Sequence, residues 1–451
     1  MKLHVGGKLT AKGFEIILNR KSFPISYPSE IWKKYPSILK NILLDNVAYS
    51  STLFLPQMHD QKTITYTTNR PLSETFLYKN GIYDMPICAL VDGVSSLEYI
   101  KRFFNTQYLF DNNYIQTPQT IDFKKPKEQT AIIPFSFGKE SLLNTALCLE
   151  LGITPILVNF IEPSHKYEYE HKKKLMKKFE KEFNVKIYVV NYGPGIFRYG
   201  KYWNLQTELG WGLHTTDYVI MSLPFAHYFN ASLIILGNEV SCNDFFFNKD
   251  GVLTYDAGYD QHKDWTPQQS LLGSLLLGRE IDVASFVDGI YELAETKILQ
   301  SRYQEIVKYQ MSCEAKTEHA ANKRWCQRCE KCSYMFALIS AFDVDLQKIG
   351  FSENMFDKAH HSIYSYFFKY DPQRPAYGSQ EELLVAFYLA TKRGRTGYSI
   401  DEFKKHLLPK FEKNKKDLIK KYLGIHPMHL NQNTLAKKLL RIYRSELKEY
   451  L

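Results

Sequence analysis

The stretch AIIPFSFGKESLLNTALCLELG, from Ala131 to Gly152, joins three sequence patterns in one short segment. An apolar run from Ala131 to Phe135 is typical of a buried strand, and the pattern from Ser141 to Leu151 is typical of a helix. Between them, Ser136 to Glu140 form a small polar turn. Such a turn presents unpaired amide N–H groups at a helix N-terminus, where the helix dipole favours an anion. The stretch therefore predicts a phosphate-binding turn between a strand and a helix.

The same rhythm continues downstream, where apolar runs are separated by amphipathic stretches. These runs are TPILVNF (Thr154 to Phe160), KIYVVNY (Lys186 to Tyr192) and ASLIILGN (Ala231 to Asn238). Near-continuous apolar strands that alternate with helices indicate a parallel sheet covered on both faces. We therefore expect an α/β fold with a Rossmann-like parallel sheet.

The regions on either side of this pattern differ from it. Residues 1 to 125 alternate β-favouring runs (FEIIL, STLFL, KTITYTT) with turns, and only the segment from Glu30 to Leu44 looks helical. Residues 116 to 130 are polar and contain two prolines, which is typical of a linker. From about Gln380 the chain is helical and rich in lysine. The pattern predicts a β-rich or α+β domain at 1–125, a central domain at 126–345 and a helical C-terminal region at 346–451.

Composition narrows the class of partner. The chain has 451 residues, with 58 Lys and Arg against 48 Asp and Glu, for a net charge of +10. This balance suits an anionic substrate or a nucleic acid. The aromatic residues are dispersed rather than interleaved with arginine, so the indication for nucleic acid is weak. The sequence has neither the apolar core of a signal peptide nor a membrane-spanning run, which predicts a cytoplasmic protein without a membrane partner. It leaves the oligomeric state open, and a homodimer is one alternative.

Each residue type in the turn SFGKES has a chemical use next to phosphate. Gly138 lets the backbone approach an oxyanion, and Lys139 can neutralise its charge. The hydroxyls of Ser136 and Ser141 can donate hydrogen bonds together with the amides at the helix start. Glu140 can help to hold a magnesium ion. We expect Lys139 and Ser141 to act in catalysis.

Four cysteines with short spacings indicate a metal site. Cys313, Cys326, Cys329 and Cys332 follow the pattern C-x12-C-x2-C-x2-C. Two overlapping C-x-x-C steps let successive thiolates turn onto one ion, and a fourth completes the tetrahedral sulfur set of structural zinc. An iron–sulfur cluster uses similar spacing and remains an alternative. His319 could replace one ligand, although an exposed loop histidine is the simpler interpretation.

The turn resembles the pyrophosphate loop, S-G-G-x-D-S, of the ATP pyrophosphatases that release AMP and pyrophosphate. Ser136, Gly138 and Ser141 match this pattern, whereas Phe137 replaces a glycine and Glu140 replaces an aspartate. The resemblance implies that the whole turn, Phe137 included, binds ATP. It also implies a fold of the PP-loop (HUP) type.

The turn followed by the four cysteines, over residues 131 to 342, resembles the zinc-containing 7-cyano-7-deazaguanine synthase (QueC-like) family. That family adenylates a carboxylate on a deazapurine and then passes the acyl group to an amine. The departures are Phe137, Glu140, a longer gap between the first two cysteines and extra segments at both ends. The resemblance implies ATP, Mg²⁺ and Zn²⁺ as cofactors and a small-molecule or peptide carboxylate as substrate. Ammonia or a protein amine would be the acceptor, as in QueC-like proteins of anti-phage systems.

Two further strand ends fit the same crevice. Asn159 ends the second strand, where this superfamily binds adenosine, and Gly237, Asn238 and Glu239 end a later one. His262, in the loop YDQHKDW, is a candidate acid or base, with a solvent-facing loop histidine as the alternative.

Two other functions stay open. The chain is also similar to the ATP-dependent epimerase of UDP-N-acetylmuramoyl-L-alanyl-L-glutamate, whose relatives resemble it in W-C-x-x-C-x-K-C at Trp325 to Cys332. That enzyme adenylates a glutamate carboxylate so that a base can invert the neighbouring carbon. A tRNA-modifying enzyme, or a partner-binding module that retains a degenerate ATP fold, is the other alternative.

Overall fold

The computed structural model describes residues 3–120, 129–369, 378–430 and 432–451. The strands are β1 (Leu3–Thr10), β2 (Gly13–Leu18), β3 (Lys21–Ser26), β4 (Thr63–Asn69), β5 (Gln107–Asn112), β6 (Thr130–Pro134), β7 (Thr154–Ile161), β8 (Ile187–Tyr192), β9 (Leu233–Leu236), β10 (Phe245–Phe247), β11 (Leu253–Tyr255) and β12 (Asp282–Ser285). The helices are α1 (Ser29–Lys34), α2 (Ser37–Ser50), α3 (Leu55–Met58), α4 (Glu74–Asp92), α5 (Ser96–Phe104), α6 (Lys139–Leu151), α7 (Lys166–Phe183), α8 (His214–Tyr228), α9 (Thr266–Leu277), α10 (Glu292–Arg302), α11 (Gln304–Val307), α12 (Glu330–Ser340), α13 (Leu346–Ile349), α14 (Ser365–Phe368), α15 (Gln380–Lys392), α16 (Tyr398–His406), α17 (Leu408–Tyr422) and α18 (Asn433–Leu447).

One mixed, mostly parallel sheet of ten strands runs through the molecule in the order β12-β9-β6-β7-β8-β3-β2-β1-β4-β5. The five strands from β12 to β8 are mutually parallel. Numbered along the chain from β6, they have the order 3-2-1-4-5 of doubly wound nucleotide-binding folds. The α/β class predicted from the sequence is confirmed.

Helices cover both faces of the parallel strands. Successive side chains of a strand point to opposite faces, and β6 shows this directly. Ala131 and Ile133 belong to a core shared with α6, α7 and α10, whereas Ile132 belongs to a core shared with α2, α8 and α9. Two separate apolar cores therefore hold the sheet between two helical layers.

The N-terminal strands extend the same sheet. β3 pairs antiparallel with β8 through Ile25 and Tyr192, and β2, β1, β4 and β5 follow outward. The expected boundary between 125 and 126, and residues 121–128 of the expected linker, lie outside the described residues.

Two predictions about the N-terminal region are wrong. STLFL, expected as a strand, forms a turn that leads into α3, because Leu53, Phe54 and Leu55 are all buried and a short apolar run does not distinguish a strand from a buried turn. The region also contains α4 and α5, which the sequence did not indicate. Helix α4 includes Gly81 and Pro86, two residues that disfavour a helix locally and are overridden here by burial.

The C-terminal region is helical as expected, and α13 to α18 are its regular elements among the described residues. Helix α12 packs against α15, so this region lies directly on the segment that carries the cysteines. In the part of the chain that the structure describes, no helix has the length and apolar character needed to cross a membrane.

Candidate functional site

A cleft of about 500 Å³ opens where the parallel strands end. Its walls include Ser136 after β6, Asn159 in β7 and Gly237 after β9. Strand β6 lies between β7 and β9. The chain therefore adds β7 and β8 on one side of β6, and then crosses to add β9 and β12 on the other side. Ligands of open α/β sheets bind at this switch point, outside the carboxyl ends of the strands. The predicted turn and the two predicted strand ends therefore meet in one cleft.

The turn takes a conformation that normally calls for glycine. Phe137 has a φ of +63°, in the left-handed region, and it stands where the pyrophosphate-loop pattern has glycine. This backbone costs about 1–2 kcal/mol for a residue with a side chain. The ring is fully buried and lies 4.6 Å from the ring of Phe135, so its burial offsets that cost. Phe137 is thus a core residue that shapes the turn through its backbone.

Hydrogen bonds within the turn hold it open toward the cleft. The Ser136 amide donates to Ser141 Oγ at 3.3 Å, and the Gly138 amide donates to Ser136 Oγ at 3.2 Å. Gly138 is the N-cap of α6 and supplies no side-chain cap. A Cβ at Gly138 would lie 3.1 Å from Ser136 Oγ, so a side chain there would crowd the hydroxyl. The amides at the start of α6 thus face a site suited to an anion.

Lys139, expected from the sequence to neutralise phosphate charge in the turn, does not line the cleft. Its side chain is buried, and the neighbouring residues Glu140 and Ser141 line the cleft wall instead. Lys139 Nζ pairs with Glu140, with Glu292 Oε2 at 2.6 Å and with Glu295 Oε2 at 3.5 Å. Glu292 and Glu295 come from α10, so the lysine joins α6 to that helix.

The charges of this cluster depend on one another. Burial lowers the pKa of Lys139, but the three carboxylates outweigh burial and hold that pKa above its ordinary value. Burial likewise raises the pKa of Glu140, and Lys139 outweighs it and lowers that pKa overall. Burial raises the pKa of Glu295 well above its ordinary value. Lys139 is therefore an ion that stabilises buried carboxylates rather than a group exposed to phosphate.

Asn159 and Asn238 both line the cleft, but their amides are used differently. Asn159 Nδ2 donates to the Phe135 carbonyl at 2.6 Å and so ties β7 to the turn. Asn238 is 6% exposed, and its Nδ2 has no hydrogen-bond partner among the described residues. A buried amide without a partner costs free energy, which a ligand acceptor can recover.

Gly237 and Glu239 flank Asn238, and both influence how the backbone packs after β9. A Cβ at Gly237 would lie 2.5 Å from Cβ of Glu140, so glycine allows α6 to approach β9. Glu239 accepts a hydrogen bond from the Ser241 amide at 2.6 Å and does not line the cleft. Burial, with the charge of Glu292, raises the pKa of Glu239 to about 8.

The structure also places His262 outside the cleft. The side chain is buried, its ring stacks on Tyr259, and Nδ1 accepts a hydrogen bond from the Asp264 amide at 3.1 Å. It is neither a cleft residue nor a solvent-facing loop residue. The same loop contributes instead through Asp260, whose carboxylate accepts the Thr215 amide at 2.6 Å and fixes the start of α8.

His214, the first residue of α8, lines the cleft together with His165, and sequence reasoning missed both histidines. His214 is partly exposed and lines the cleft wall. Burial and the positive charges of Arg198 and Lys331 lower the pKa of His214 below its ordinary range. The imidazole is therefore neutral at pH 7 and offers one ring nitrogen as a hydrogen-bond acceptor. The sequence held no motif for it, because its role depends on Asp260, 46 residues later.

Aromatic side chains form the wall around His214. Tyr199 and Tyr218 donate hydrogen bonds to Glu162 at 3.0 and 2.9 Å. The Tyr199 ring lies 4.8 Å from that of Trp211, and Tyr218 lies 5.8 Å from His214. All five of these residues line the cleft. This end of the cleft suits a planar organic group with hydrogen-bond donors.

The four predicted cysteines come together. Their sulfur atoms all lie within 4.8 Å of one another, and Cys326 and Cys332 are 3.7 Å apart. Sulfurs at 2.3 Å from one tetrahedral ion would be separated by about 3.8 Å. The Cys326 amide donates to Cys313 Sγ, and the Cys332 amide donates to Cys329 Sγ, each at 3.4 Å. The cluster can hold a metal ion, whereas His319 lies exposed outside it.

The cysteine cluster is joined to both the cleft and the C-terminal region. The Met311 amide donates to the Phe137 carbonyl at 2.9 Å, which links the segment before Cys313 to the turn. On the other side, Trp325 Nε1 donates to the Ile349 carbonyl at 2.9 Å. Glu314 and Lys331, neighbours of the cysteines, line the cleft.

Comparison with known proteins assigns no family. No protein-family model matches the chain, and no curated protein matches it. The function is therefore inferred from the geometry of the cleft and of the cysteine cluster.

Proposed function

We propose that the protein is a PP-loop (HUP-type) enzyme that uses ATP to activate a substrate carboxylate as an acyl-adenylate and then transfers the acyl group to an amine. One observation carries the proposal. The turn from Ser136 to Ser141, with its left-handed residue and its N-cap glycine, lies at the switch point of the sheet and opens on a large cleft. That is the position at which doubly wound folds bind nucleotides.

At the turn, the chain stabilises charge that develops on departing pyrophosphate. The substrate carboxylate oxygen attacks the α-phosphorus of ATP, and the bond between the α-phosphorus and the bridging oxygen breaks. The amides at the start of α6 and the hydroxyl of Ser136 would donate to the leaving oxygens, while the Ser141 hydroxyl donates to the Gly138 carbonyl and braces the turn. These groups are fixed in advance, so they need not reorganise during the reaction.

The charges of the cleft support magnesium as part of this proposal. The carboxylates of Glu140, Glu162, Glu168 and Glu314 line it, against the two ammonium groups of Lys172 and Lys331. A nucleotide triphosphate would add further negative charge, which a divalent cation offsets by binding phosphate oxygens. Glu140, beside the turn, is the residue that would hold the ion.

The aromatic end would bind the organic part of the substrate. Tyr199, Trp211, Tyr218 and His214 offer ring faces and edges, and Glu162 offers carboxylate oxygens. A planar group with N–H donors matches this wall. Neutral His214 would take the proton that the attacking amine loses, after which the amide forms and AMP leaves.

Zinc is the ion proposed for the cysteine cluster. Four thiolates without an open position match a structural site, and nothing in the wall of that cluster supplies a fifth ligand among the described residues. The ion would fix the segment between the turn and the C-terminal helices. This role requires no redox chemistry.

Epimerisation after adenylation is the second candidate. His214 is the candidate base here as well, because it lines the cleft where the activated carboxyl would lie, although its lowered pKa makes it a weak base. Solvent deuterium distinguishes the two. Epimerisation incorporates deuterium at that carbon, whereas acyl transfer leaves it unlabelled and gives an amide.

The test is incubation with ATP, Mg²⁺ and a panel of carboxylates, followed by mass spectrometry of nucleotides and products. We expect AMP and pyrophosphate that depend on one carboxylate. Ser136→Ala should weaken turnover by up to about tenfold, the effect of one neutral hydrogen bond. The matched control is Ser301→Ala, a surface serine bonded to Glu446. ADP and phosphate as products would contradict the proposal.

A further inference from the structure

A lysine of the cleft lies between two of the clustered cysteines. Lys331 is in the first turn of α12, after Cys329 and before Cys332, and it lines the same cleft as Ser136 and Ser141. Among the described residues, the cleft-lining lysines are Lys172 and Lys331. Lys139 is buried against α10.

We propose that Lys331 binds phosphate groups in this cleft, and that the four-cysteine metal centre positions it. The inference rests on the proposed function only in taking the turn as a phosphate site. It gives the metal centre a part in ligand binding in addition to stability.

The backbone around Lys331 is held on both sides. Cys329 is the N-cap of α12, and its sulfur accepts the Cys332 amide. The residues that follow, Ser333 to Ser340, are buried in the core. A metal bound to Cys329 and Cys332 would fix the segment on both sides of the lysine, so little conformational freedom of the backbone is lost on binding.

A second observation points to a ligand in the same cleft. Asn238 lines the cleft, is more than nine-tenths buried, and carries an amide nitrogen without a partner among the described residues. A phosphate oxygen would accept from that amide. The cleft thus combines an unused donor, the uncapped start of α6 and an ammonium group, which together suit a multiply charged anion.

The electrostatics are consistent with a central position for Lys331. Burial and Lys139 dominate the pKa of Glu140, and the charge of Lys331 lowers it further. Burial and Arg198 lower the pKa of His214, and Lys331 adds to that effect. The ammonium group therefore acts on the turn side and on the aromatic side of the cleft.

Inorganic pyrophosphate is the probe, titrated by calorimetry with Mg²⁺ into the full chain and three variants. Lys331→Gln should weaken binding at least tenfold, and Lys331→Arg should retain most of it because the charge remains. Lys323→Gln is the control, since it removes the same charge from an exposed lysine paired with Glu353 near the cysteines. Zinc content and unfolding temperature should be equal in all four proteins.

Pyrophosphate binding by Lys331→Gln that equals wild type would overturn the inference, as would the absence of binding to the wild-type protein. Loss of binding in both Lys331→Gln and Lys323→Gln would overturn it too, since the effect would then be one of net charge. If Lys331→Gln alone loses pyrophosphate and no carboxylate yields AMP, the inference stands and the proposed function fails.

Discussion

Replacing Lys139 by Met tests whether this lysine serves the core rather than the phosphate. The substitution keeps an unbranched side chain and removes the charge that pairs with Glu292 and Glu295. Glu295 is fully buried, and neither of its carboxylate oxygens has a hydrogen-bond partner among the described residues. Burial raises the pKa of Glu295 well above its ordinary value, whereas Lys139 lowers the pKa of Glu140. The carboxylate that loses its counterion is therefore Glu140, which must stay charged without a partner or take up a proton. Breaking a buried ion pair in this way costs about 3–5 kcal/mol.

Protonation limits that cost and makes it depend on pH. Keeping a glutamate protonated at pH 7, against an ordinary pKa of about 4.5, costs about 3.4 kcal/mol, and at pH 5 it costs about 0.7 kcal/mol. Lys139→Met should therefore lower the free energy of unfolding by about 3 kcal/mol at pH 7 and by much less at pH 5. Urea unfolding of wild type, Lys139→Met and the exposed neighbour control Ser136→Ala measures both values. Equal midpoints for Lys139→Met and wild type, or a loss that does not change with pH, would refute the buried ion cluster.

Three further predictions concern the metal, the pH dependence and the base. Elemental analysis should find one zinc per chain. Cys329→Ser should lose the zinc and much of the free energy of unfolding, because structural metal sites contribute folding free energy directly. A coloured iron cluster would contradict this prediction. Since burial raises the pKa of Glu239 to about 8, the stability contributed by its retained proton is full below about pH 4.5 and is lost as the pH rises through 8. Glu239→Gln should flatten that fall between pH 5 and pH 8, and an unchanged slope would exclude Glu239 as its source. His214→Gln should lower the rate of acyl transfer by about a hundredfold or more, whereas His262→Gln should leave the pH profile of turnover unchanged. The reverse pattern would identify His262 as the base.

The parallel half of the fold could be predicted because its signals are local. The strands from Thr154 and Lys186 are nearly continuous apolar runs, and such runs occur where both faces of a sheet are covered. The cysteine site was predictable for the same reason, since three of its ligands lie within seven residues. Helix α4 was not, because Gly81 and Pro86 lower its helix propensity and only tertiary burial compensates.

The sequence predicted where in the sheet the cleft lies, but it did not predict which charged side chains pair with one another there. The turn could be recognised from a short pattern, whereas the partners of Lys139 lie on α10, about 150 residues later in the chain. No local pattern indicates that a lysine in a phosphate-type turn is neutralised by such distant carboxylates. Lys331 had a local signal, its position between two of the clustered cysteines, but its approach to the cleft depends on how α12 packs.

The most direct test of the account uses a substrate whose carboxylate carries ¹⁸O. Attack of that carboxylate on the α-phosphorus of ATP, followed by cleavage of the acyl bond, leaves one labelled oxygen on AMP. We predict AMP heavier by one ¹⁸O and pyrophosphate without label, both measured by mass spectrometry, and loss of both products without the carboxylate. Label recovered in inorganic phosphate together with ADP would show attack at the γ-phosphorus and would contradict the adenylation proposed for the turn at Ser136 to Ser141.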